Sequence, residues 1–449
     1  MSIDIDEEHA LRPEQLSAMA AKVLEDSHLR TMRNAVAKNG ILKVAEDQDI
    51  LVAMRHAFSE ELPSLPVTNQ MKSGRCWMFA GLNALRRMAA KRLNLEEFEL
   101  SQNYLTFWEK LEKANCFLDD VLGTLAEAKQ SRLVTHIFTS PASDGGEWEL
   151  FANLVLKYGI VPKSAMPETL HSSDSHAMNH VLDAKLRAHG LELRAAHASG
   201  VPTADLVARK EGMLGDVYRI LTVFLGMPPA LFDFEFRDKD DRFHADRGIS
   251  PQTFFERYVA FDFDAYANVV NIPTPDKPYG RTYLVAHLPV VRGGPARPYL
   301  NVDADTLRSL TLAQLHGGEG VYFGCDVVQM MDAAAGVLDE TLYDLEGVFG
   351  VPFQLSKADR LDYLGEIAGG HQMVFTGVHV VDGDPVRWKV ENSWGTEHGQ
   401  KGYFVMSDGW FENYVYQVVV RKDHLPPALI AALSAPAQVL PPWDPMRGL

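Results

Sequence analysis

The chain is organised around one stretch, Gln70-Met-Lys-Ser-Gly-Arg-Cys-Trp-Met-Phe79, in which Cys76 is the candidate nucleophile. Apolar residues recur from that point at the spacing of one helical face: Met78, Leu82, Leu85 and Ala89. The spacing predicts a helix that begins at Cys76, where unpaired N–H groups and the positive end of the helix dipole favour a thiolate over a thiol. The alternative is a buried structural cysteine, because free cysteines are often buried.

Gln70 lies six residues before the cysteine, on the loop that approaches the predicted helix. Its side-chain N–H and the backbone N–H of Cys76 can converge on the oxyanion that develops when a thiolate attacks a carbonyl carbon. The stretch therefore predicts nucleophilic chemistry on a carbonyl group, with Gln70 as the oxyanion donor.

A predicted β-hairpin in the C-terminal half carries two further polar side chains. One strand begins at His371, Asp382-Gly383 is a hairpin turn signal, and the return strand Arg387–Glu391 leads into Asn392-Ser-Trp-Gly. The start of the first strand and the end of its partner lie side by side in a hairpin. We therefore expect His371 and Asn392 to be neighbours.

These residue types fit a catalytic triad. His371 can act as general base toward Cys76 and then as general acid toward a leaving amine. Asn392 can accept a hydrogen bond from the other imidazole nitrogen and fix the ring's tautomer, and Trp394 can shield that bond from water. Taken singly, each has another explanation: a strand can start with a polar histidine, and Asn-Ser-Trp-Gly can be only a turn.

Paired glycines at Gly145-Gly146 precede a predicted helix at Trp148–Tyr158. Glycine permits positive φ and the close approach of another backbone. Two interpretations remain open, an edge that binds the substrate strand and a plain turn before the helix.

Composition argues against several classes of protein. The 449 residues carry a net charge of −17, which repels nucleic-acid backbones. The three cysteines, Cys76, Cys116 and Cys325, show neither metal-ligand spacing nor a disulfide framework, which fits a reducing compartment. No signal peptide or membrane-spanning segment is visible. We therefore expect a cytoplasmic protein with no cofactor, no metal and no membrane partner.

In combination, the motifs resemble papain-like cysteine peptidases and, within that group, the bleomycin hydrolase/aminopeptidase C family. The longer matching runs are Trp388-Lys-Val-Glu-Asn-Ser-Trp-Gly, Lys401-Gly-Tyr-Phe-Val-Met-Ser-Asp and Leu355-Ser-Lys-Ala-Asp-Arg-Leu-Asp-Tyr. The resemblance covers about residues 60–449. Carried over residue by residue, it implies Cys76 as nucleophile, His371 as acid and base, Asn392 as the residue that orients it, and Gln70 as oxyanion donor.

The resemblance implies an α+β fold of the papain type, with a helical subdomain, an antiparallel β-barrel-like subdomain and a large, mainly helical insertion. Cys76 and His371 are 295 residues apart, whereas papain-like chains need roughly 130–150. We expect, in chain order, a helical region, the helical subdomain with the cysteine, the insertion, the β subdomain with His371 and Asn392, and an arm that enters the active-site cleft. These cover residues 1–60, 61–170, 171–300, 301–435 and 436–449. The aromatic residues that crowd 228–299 suggest that the insertion packs onto the main body or another subunit.

The implied activity is an intracellular cysteine aminopeptidase that releases N-terminal residues of peptides through an acyl-enzyme and extends to bleomycin-like amides. The family forms a hexameric ring with its active sites facing an internal cavity. By the same resemblance, the proline-stiffened arm holds the Leu449 carboxylate in the cleft, although Arg447 departs from the small residues typical of the family there. The alternatives are an endopeptidase with an open cleft and, from another class, a ring-forming nucleic-acid-binding protein.

Overall fold

The structure is a computed structural model that describes residues 10–353, 355–364 and 370–448. Its helices are α1 Pro13–Glu25, α2 Ser27–Asn39, α3 Ile41–Ala45, α4 Gln48–Ala53, α5 Cys76–Leu93, α6 Gln102–Gly123, α7 Arg132–Thr139, α8 Trp148–Tyr158, α9 Leu170–Ser173, α10 His176–Ala198, α11 Thr203–Leu225, α12 Pro251–Phe254, α13 Ala304–His316, α14 Leu345–Phe349, α15 Lys357–Asp359, α16 Asp408–Tyr414 and α17 Pro427–Leu433. Its strands are β1 Glu60–Glu61, β2 Phe232–Arg237, β3 Phe243–Ile249, β4 Tyr266–Val270, β5 Arg281–Val285, β6 Tyr299–Asn301, β7 Val321–Asp326, β8 Met331–Asp332, β9 Val337–Leu338, β10 Gly370–Val381, β11 Asp384–Glu391, β12 Tyr403–Ser407, β13 Val415–Arg421 and β14 Gln438–Leu440.

Helix α5 begins at Cys76, as its sequence pattern predicts. Most of its side chains are buried, because the helix lies between the other helices and strands β7 and β10. It ends at Asn94, whose left-handed backbone (φ 57°) closes the last turn. The predicted helix after the paired glycines is also present, as α8.

The main sheet has the strand order β14-β5-β6-β4-β13-β7-β10-β11-β12-β9-β8, and β1 also pairs with β10. Most neighbours are antiparallel, as expected, but the pairs β4–β6, β5–β14 and β9–β12 are parallel. The expected antiparallel subdomain, residues 301–435, therefore holds one parallel pair, β9–β12, and the other two pairs use strands outside those bounds. Each of the three pairs joins segments that are distant in sequence, and such pairs have no hairpin signal to announce them.

Strands β10 and β11 form the predicted hairpin, with Val374 opposite Glu391. The turn residues Asp382 and Gly383 both have positive φ, 54° and 97°. Residues that tolerate positive φ at both central positions are the ones that a tight hairpin needs. The hairpin thus brings the start of β10 beside the end of β11.

Residues 171–300, the expected insertion, combine long helices with short strands. The long helices α10 and α11 occupy the first part, but strands follow from Phe232 onward, and β4, β5 and β6 belong to the main sheet. Aromatic residues of this region are buried against the helical core: Phe232, Phe234, Phe254, Phe255 and Phe263. Of the two expected partners, the main body and another subunit, these five side chains pack onto the main body, whereas Phe243 is exposed.

Two large hydrophobic cores lie on the two faces of the main sheet, and helix α5 belongs to the first of them. One core joins the helices to the inner face of β7, β10 and β13 through Tyr322, Val374 and Val419. The other lies on the opposite side of the sheet, around Phe323, Phe375 and other large side chains. In the part of the chain that the structure describes, no helix combines the length and the apolar character that a bilayer crossing requires.

Candidate active site

The loop before α5 places Cys76 at the junction of the helices and the sheet. The N–H of Gln70 donates to the Ser393 carbonyl (2.8 Å), and the N–H of Gly74 donates to the Asp144 carboxylate (2.9 Å). These bonds tie the loop to the segment that follows β11 and to the loop before α8. Cys76 itself is only 8% exposed.

Burial dominates the ionisation of the Cys76 thiol. It raises the pKa of the Cys76 thiol to about 11, although the backbone N–H groups of Gln372, Trp77 and Cys76 lower it. The sequence correctly predicts the favourable effect of the helix start. It does not predict that desolvation outweighs that effect, because desolvation depends on the surrounding tertiary structure.

His371 and Asn392 are hydrogen-bonded, as predicted, with 2.8 Å between His371 Nε2 and Asn392 Oδ1. Oδ1 also accepts the Ser393 backbone N–H at 2.7 Å, so the atom at this position must be the amide oxygen. His371 Nε2 therefore carries a hydrogen, and Nδ1 is the nitrogen that can take a proton. Burial lowers the pKa of His371 to about 4, although the bond to Asn392 raises it, so the imidazole is neutral near pH 7.

The predicted cover over this hydrogen bond is present. The Trp394 ring lies 4.9 Å from the His371 ring, centroid to centroid, with the planes tilted by 35°. Trp394 is half-buried, and its backbone pairs with Asn69. This pairing also brings the Gln70 loop beside the β10–β11 hairpin that carries His371 and Asn392.

Gln70 is held by two side-chain hydrogen bonds. Its Oε1 accepts from the Ser393 hydroxyl at 2.7 Å, and its Nε2 donates to the Ser73 carbonyl at 2.7 Å. The second hydrogen on Nε2 is then available to an oxyanion. Ser393 is a positioning residue that sequence reasoning missed, because nothing in the motif indicates that its hydroxyl points at Gln70.

The paired glycines lie beside Trp77. A Cβ at Gly146 would overlap the indole ring of Trp77, whose Nε1 donates to the Asp144 carbonyl at 2.9 Å. Gly145 is exposed, and a Cβ there would meet nothing within 4 Å. Gly146 is therefore required for close packing, and the role of the pair as a substrate edge remains a prediction.

A buried ionic cluster under this loop has no counterpart in the sequence analysis. Lys110 Nζ donates to the carbonyls of Ala142 (2.9 Å) and Ser143 (3.0 Å) and to the Asp144 carboxylate (2.7 Å). Burial would raise the pKa of Asp144, but Lys110 and other donors hold it well below its usual range. The cluster fixes the loop that faces Cys76, and no local signal reveals it, since its members lie on different elements.

The C-terminal arm ends beside the triad. The Arg132 guanidinium carbon lies 4.0 Å from the centroid of the Trp443 ring. Asp444 pairs with Lys277 at 3.2 Å, and the side chains of this ion pair are buried. A Cβ at Gly370 would lie 2.5 Å from the Gly448 carbonyl oxygen, which places the arm next to His371. Leu449, the predicted substrate-binding terminus, lies outside the described residues.

Gln372 is a further neighbour of the nucleophile that the sequence analysis missed. The Cys76 thiol donates to Gln372 Oε1 across 2.9 Å. As for metals, among the described residues no three His, Cys, Asp or Glu side chains form a group that could hold an ion.

Comparison with known proteins gives the family. The Peptidase C1-like family matches residues 10–447, and the chain belongs to it. An Aminopeptidase C of Listeria monocytogenes serovar 1/2a is 43% identical over 436 residues, which make up 97% of this chain and 98% of the relative. Bleomycin hydrolase of Mus musculus is 38% identical and covers 98% of both chains.

A solved structure also matches this chain over nearly its whole length. The crystal structure of PepW from Lactobacillus rhamnosis HN001 matches with a TM-score of 0.95 and 45% identity, over 98% of this chain and 99% of that one. The mixed helix-and-sheet class is confirmed. The predicted activity, that of a cysteine-type aminopeptidase, is also confirmed.

Proposed function

We propose that this aminopeptidase works through Cys76 as nucleophile, His371 as acid and base, Asn392 as the residue that orients the imidazole, and Gln70 as oxyanion donor. The observation that carries the proposal is the bond from His371 Nε2–H to Asn392 Oδ1, with Ser393 N–H on the same oxygen. It assigns the tautomer in which Nδ1 can accept the thiol proton.

The reaction follows from these positions. The Cys76 proton passes to His371 Nδ1, and the thiolate attacks the carbonyl carbon of the first peptide bond. The oxyanion is held by Gln70 Nε2–H and the Cys76 backbone N–H. His371 then protonates the leaving amine, and water, deprotonated by the same imidazole, hydrolyses the acyl-enzyme.

Hydrolysis of an aminoacyl arylamide by cysteine variants tests the nucleophile. Cys76→Ala should abolish turnover without unfolding the protein. Cys116→Ala is the matched control, because Cys116 is also a buried free thiol, and its Sγ donates to the Val290 carbonyl rather than to a residue of the proposed site. Turnover retained by the purified Cys76 variant would overturn the assignment.

We further propose that the C-terminal arm restricts the enzyme to free N-termini. The arm's anchors, Trp443 on Arg132 and Asp444 on Lys277, and the position of Gly448 against Gly370 support this. An arm beside the triad blocks long peptides, and its carboxylate can pair with the substrate's α-ammonium group, whose pKa is about 7.7–8.0. The position of the arm favours this activity over an endopeptidase with an open cleft.

Removal of the last two residues tests the arm. Deletion of Gly448 and Leu449 should weaken aminopeptidase activity and admit N-acetylated peptides, because the carboxylate is withdrawn from the cleft. Leu449→Ala is the control, since it keeps the length and the terminal carboxylate. A truncated enzyme with full activity that still rejects N-acetylated substrates would show that the arm is not the gate.

For the biological setting we propose a cytoplasmic homohexamer that acts on peptides and on bleomycin-like amides. Its papain-like helical and strand subdomains would be joined by the 171–300 insertion. The unpaired state of Cys76, Cys116 and Cys325 supports a reducing compartment, and the net charge of −17 argues against nucleic acid. A sedimentation mass near that of the 50.0 kDa chain at micromolar concentration would exclude the hexamer.

A further inference from the structure

Gln372 contacts the reacting sulfur twice, yet the mechanism above gives it no part. Its Oε1 accepts the Cys76 thiol hydrogen at 2.9 Å, and its backbone N–H also lies against the sulfur. Gln372 is 4% exposed. A buried amide beside a thiol stabilises the protonation state, thiol or thiolate, with which it forms the stronger hydrogen bond.

The thiol hydrogen can make only one good hydrogen bond, and in this structure Gln372 receives it. In this structure the sulfur bonds as a thiol to an amide oxygen, and the imidazole bonds to Asn392. For reaction, the proton must leave Gln372 Oε1 and reach His371 Nδ1. That transfer breaks the S–H···O bond and leaves a thiolate beside a group that, in this orientation, only accepts hydrogen bonds.

We propose that Gln372 is a further catalytic residue whose amide serves both protonation states of Cys76. Toward the thiol form, its oxygen accepts the hydrogen of the sulfur. When that proton moves to His371, the amide turns over and its N–H donates to the thiolate. The step transfers one proton from sulfur to nitrogen and involves no change of oxidation state. The proposal rests on the proposed roles of Cys76 and His371.

The chemistry of the amide favours the thiolate overall. A glutamine side chain carries both an acceptor and two donors, and a thiol is only a weak donor. The terminal torsion of glutamine is broad, so that turning the amide over meets no strong rotamer preference. A hydrogen bond to an ion is roughly twice as strong as one between neutral groups. Gln372 should therefore promote ionisation of Cys76 even though the resting structure shows it bonded to the thiol.

The test is the pH dependence of Cys76 alkylation by iodoacetamide in the full-length enzyme, with the modified residue located by mass spectrometry. Gln372→Met keeps the size of the side chain and removes the amide. Gln372→Glu keeps the acceptor and adds a negative charge. We expect the methionine variant to move the midpoint of alkylation upward by about one pH unit, which is about tenfold slower alkylation below the midpoint. The glutamate variant should move it further, and the acidic limb of kcat/KM should shift with it.

The control is Gln314→Met, the same change at a buried glutamine of α13 whose side chain hydrogen-bonds to the backbone of Gly320, Val419 and Arg421. It should leave the alkylation profile unmoved. If Gln372→Met does not fold, Gln372→Ala and Gln372→Glu give the same comparison.

Two outcomes separate this inference from the proposed function. If Cys76 is alkylated but its pH midpoint is the same in all Gln372 variants, Gln372 is only a packing residue. If alkylation maps to Cys116 or Cys325 and survives in Cys76→Ser, the assignment of the nucleophile fails first. A downward shift in Gln372→Met would also overturn the inference, because the amide would then favour the thiol.

Discussion

A buried ion pair connects the two halves of the active site, and removal of one partner should be costly. Arg86, on α5, bonds Glu391 Oε1 at 2.6 Å, and Arg87 pairs with the other carboxylate oxygen. Glu391 directly precedes Asn392, and its side chain is completely buried. The pair therefore links the helix that carries the nucleophile to the strand that delivers Asn392. Arg86→Met removes the charge and keeps most of the apolar stem.

The contacts around Glu391 determine how much the free energy of unfolding should fall. Loss of one partner from a buried pair costs about 3–5 kcal/mol, because it leaves a buried charge without compensation. Arg87 still compensates Glu391 in the variant, which favours the lower end, about 3 kcal/mol. The Pro66 carbonyl also loses its bond from Arg86 Nη2 (2.7 Å), which adds to the loss.

Urea unfolding, monitored by tryptophan fluorescence, tests this prediction, since the buried tryptophans report on both cores. Arg421→Met is the matched control. Arg421 also bonds two carboxylates, Glu319 and Asp423, but about a third of its side chain is exposed. Surface pairs are worth about 0–1 kcal/mol. Equal shifts of the unfolding midpoint in the two variants would refute the reasoning, because burial would then not matter.

Three further predictions concern the triad and its supports. Asn392→Ala should lower kcat about 10–100-fold with little change in KM, because it misorients His371 without removing a substrate contact; steady-state kinetics with an unchanged kcat would make Asn392 only a turn residue. Ser393→Ala should lower kcat by about tenfold, because Gln70 loses the hydroxyl that fixes its amide, and an equal loss in a Gln70→Ala background would show that Ser393 acts elsewhere. The His371 pKa of about 4 lies below the 6.5 of an unfolded histidine, so the folded state binds fewer protons between these values. The contribution of this shift to the wild-type free energy of unfolding should therefore be full above pH 6.5 and fall by about 3 kcal/mol as the pH drops to 4. In His371→Gln, the free energy of unfolding measured in urea should fall by about 3 kcal/mol less over the same range. Parallel pH curves for the two proteins would contradict the shift.

The site's main features were predictable from the sequence where local rules apply. The start of α5 at Cys76 follows from helical spacing, and the meeting of His371 with Asn392 follows from the Asp382-Gly383 turn between two strands. These features depend on residues close together in the chain. The resemblance then assigned an activity to four residues, Gln70, Cys76, His371 and Asn392, of which the first and last are 322 positions apart.

Interactions between distant segments could not be predicted in this way. Three such contacts join elements whose sequences carry no signal of the partner. They are the Ser393 hydroxyl with Gln70, the Cys76 thiol with Gln372, and Lys110 with the 142–145 loop. The parallel strand pairs belong to the same class. Residue type shows that a group can donate or accept, but only the folded chain selects its partner.

Cys76 shows most clearly which properties follow from the sequence and which from the tertiary structure. The sequence by itself determined that Cys76 begins a helix, and hence that backbone N–H groups favour its ionisation. Tertiary structure decided the larger, opposing effect, because burial between α5 and the sheet raises the thiol pKa to about 11. Desolvation depends on every atom that surrounds the sulfur, and those atoms come from segments up to 296 residues away.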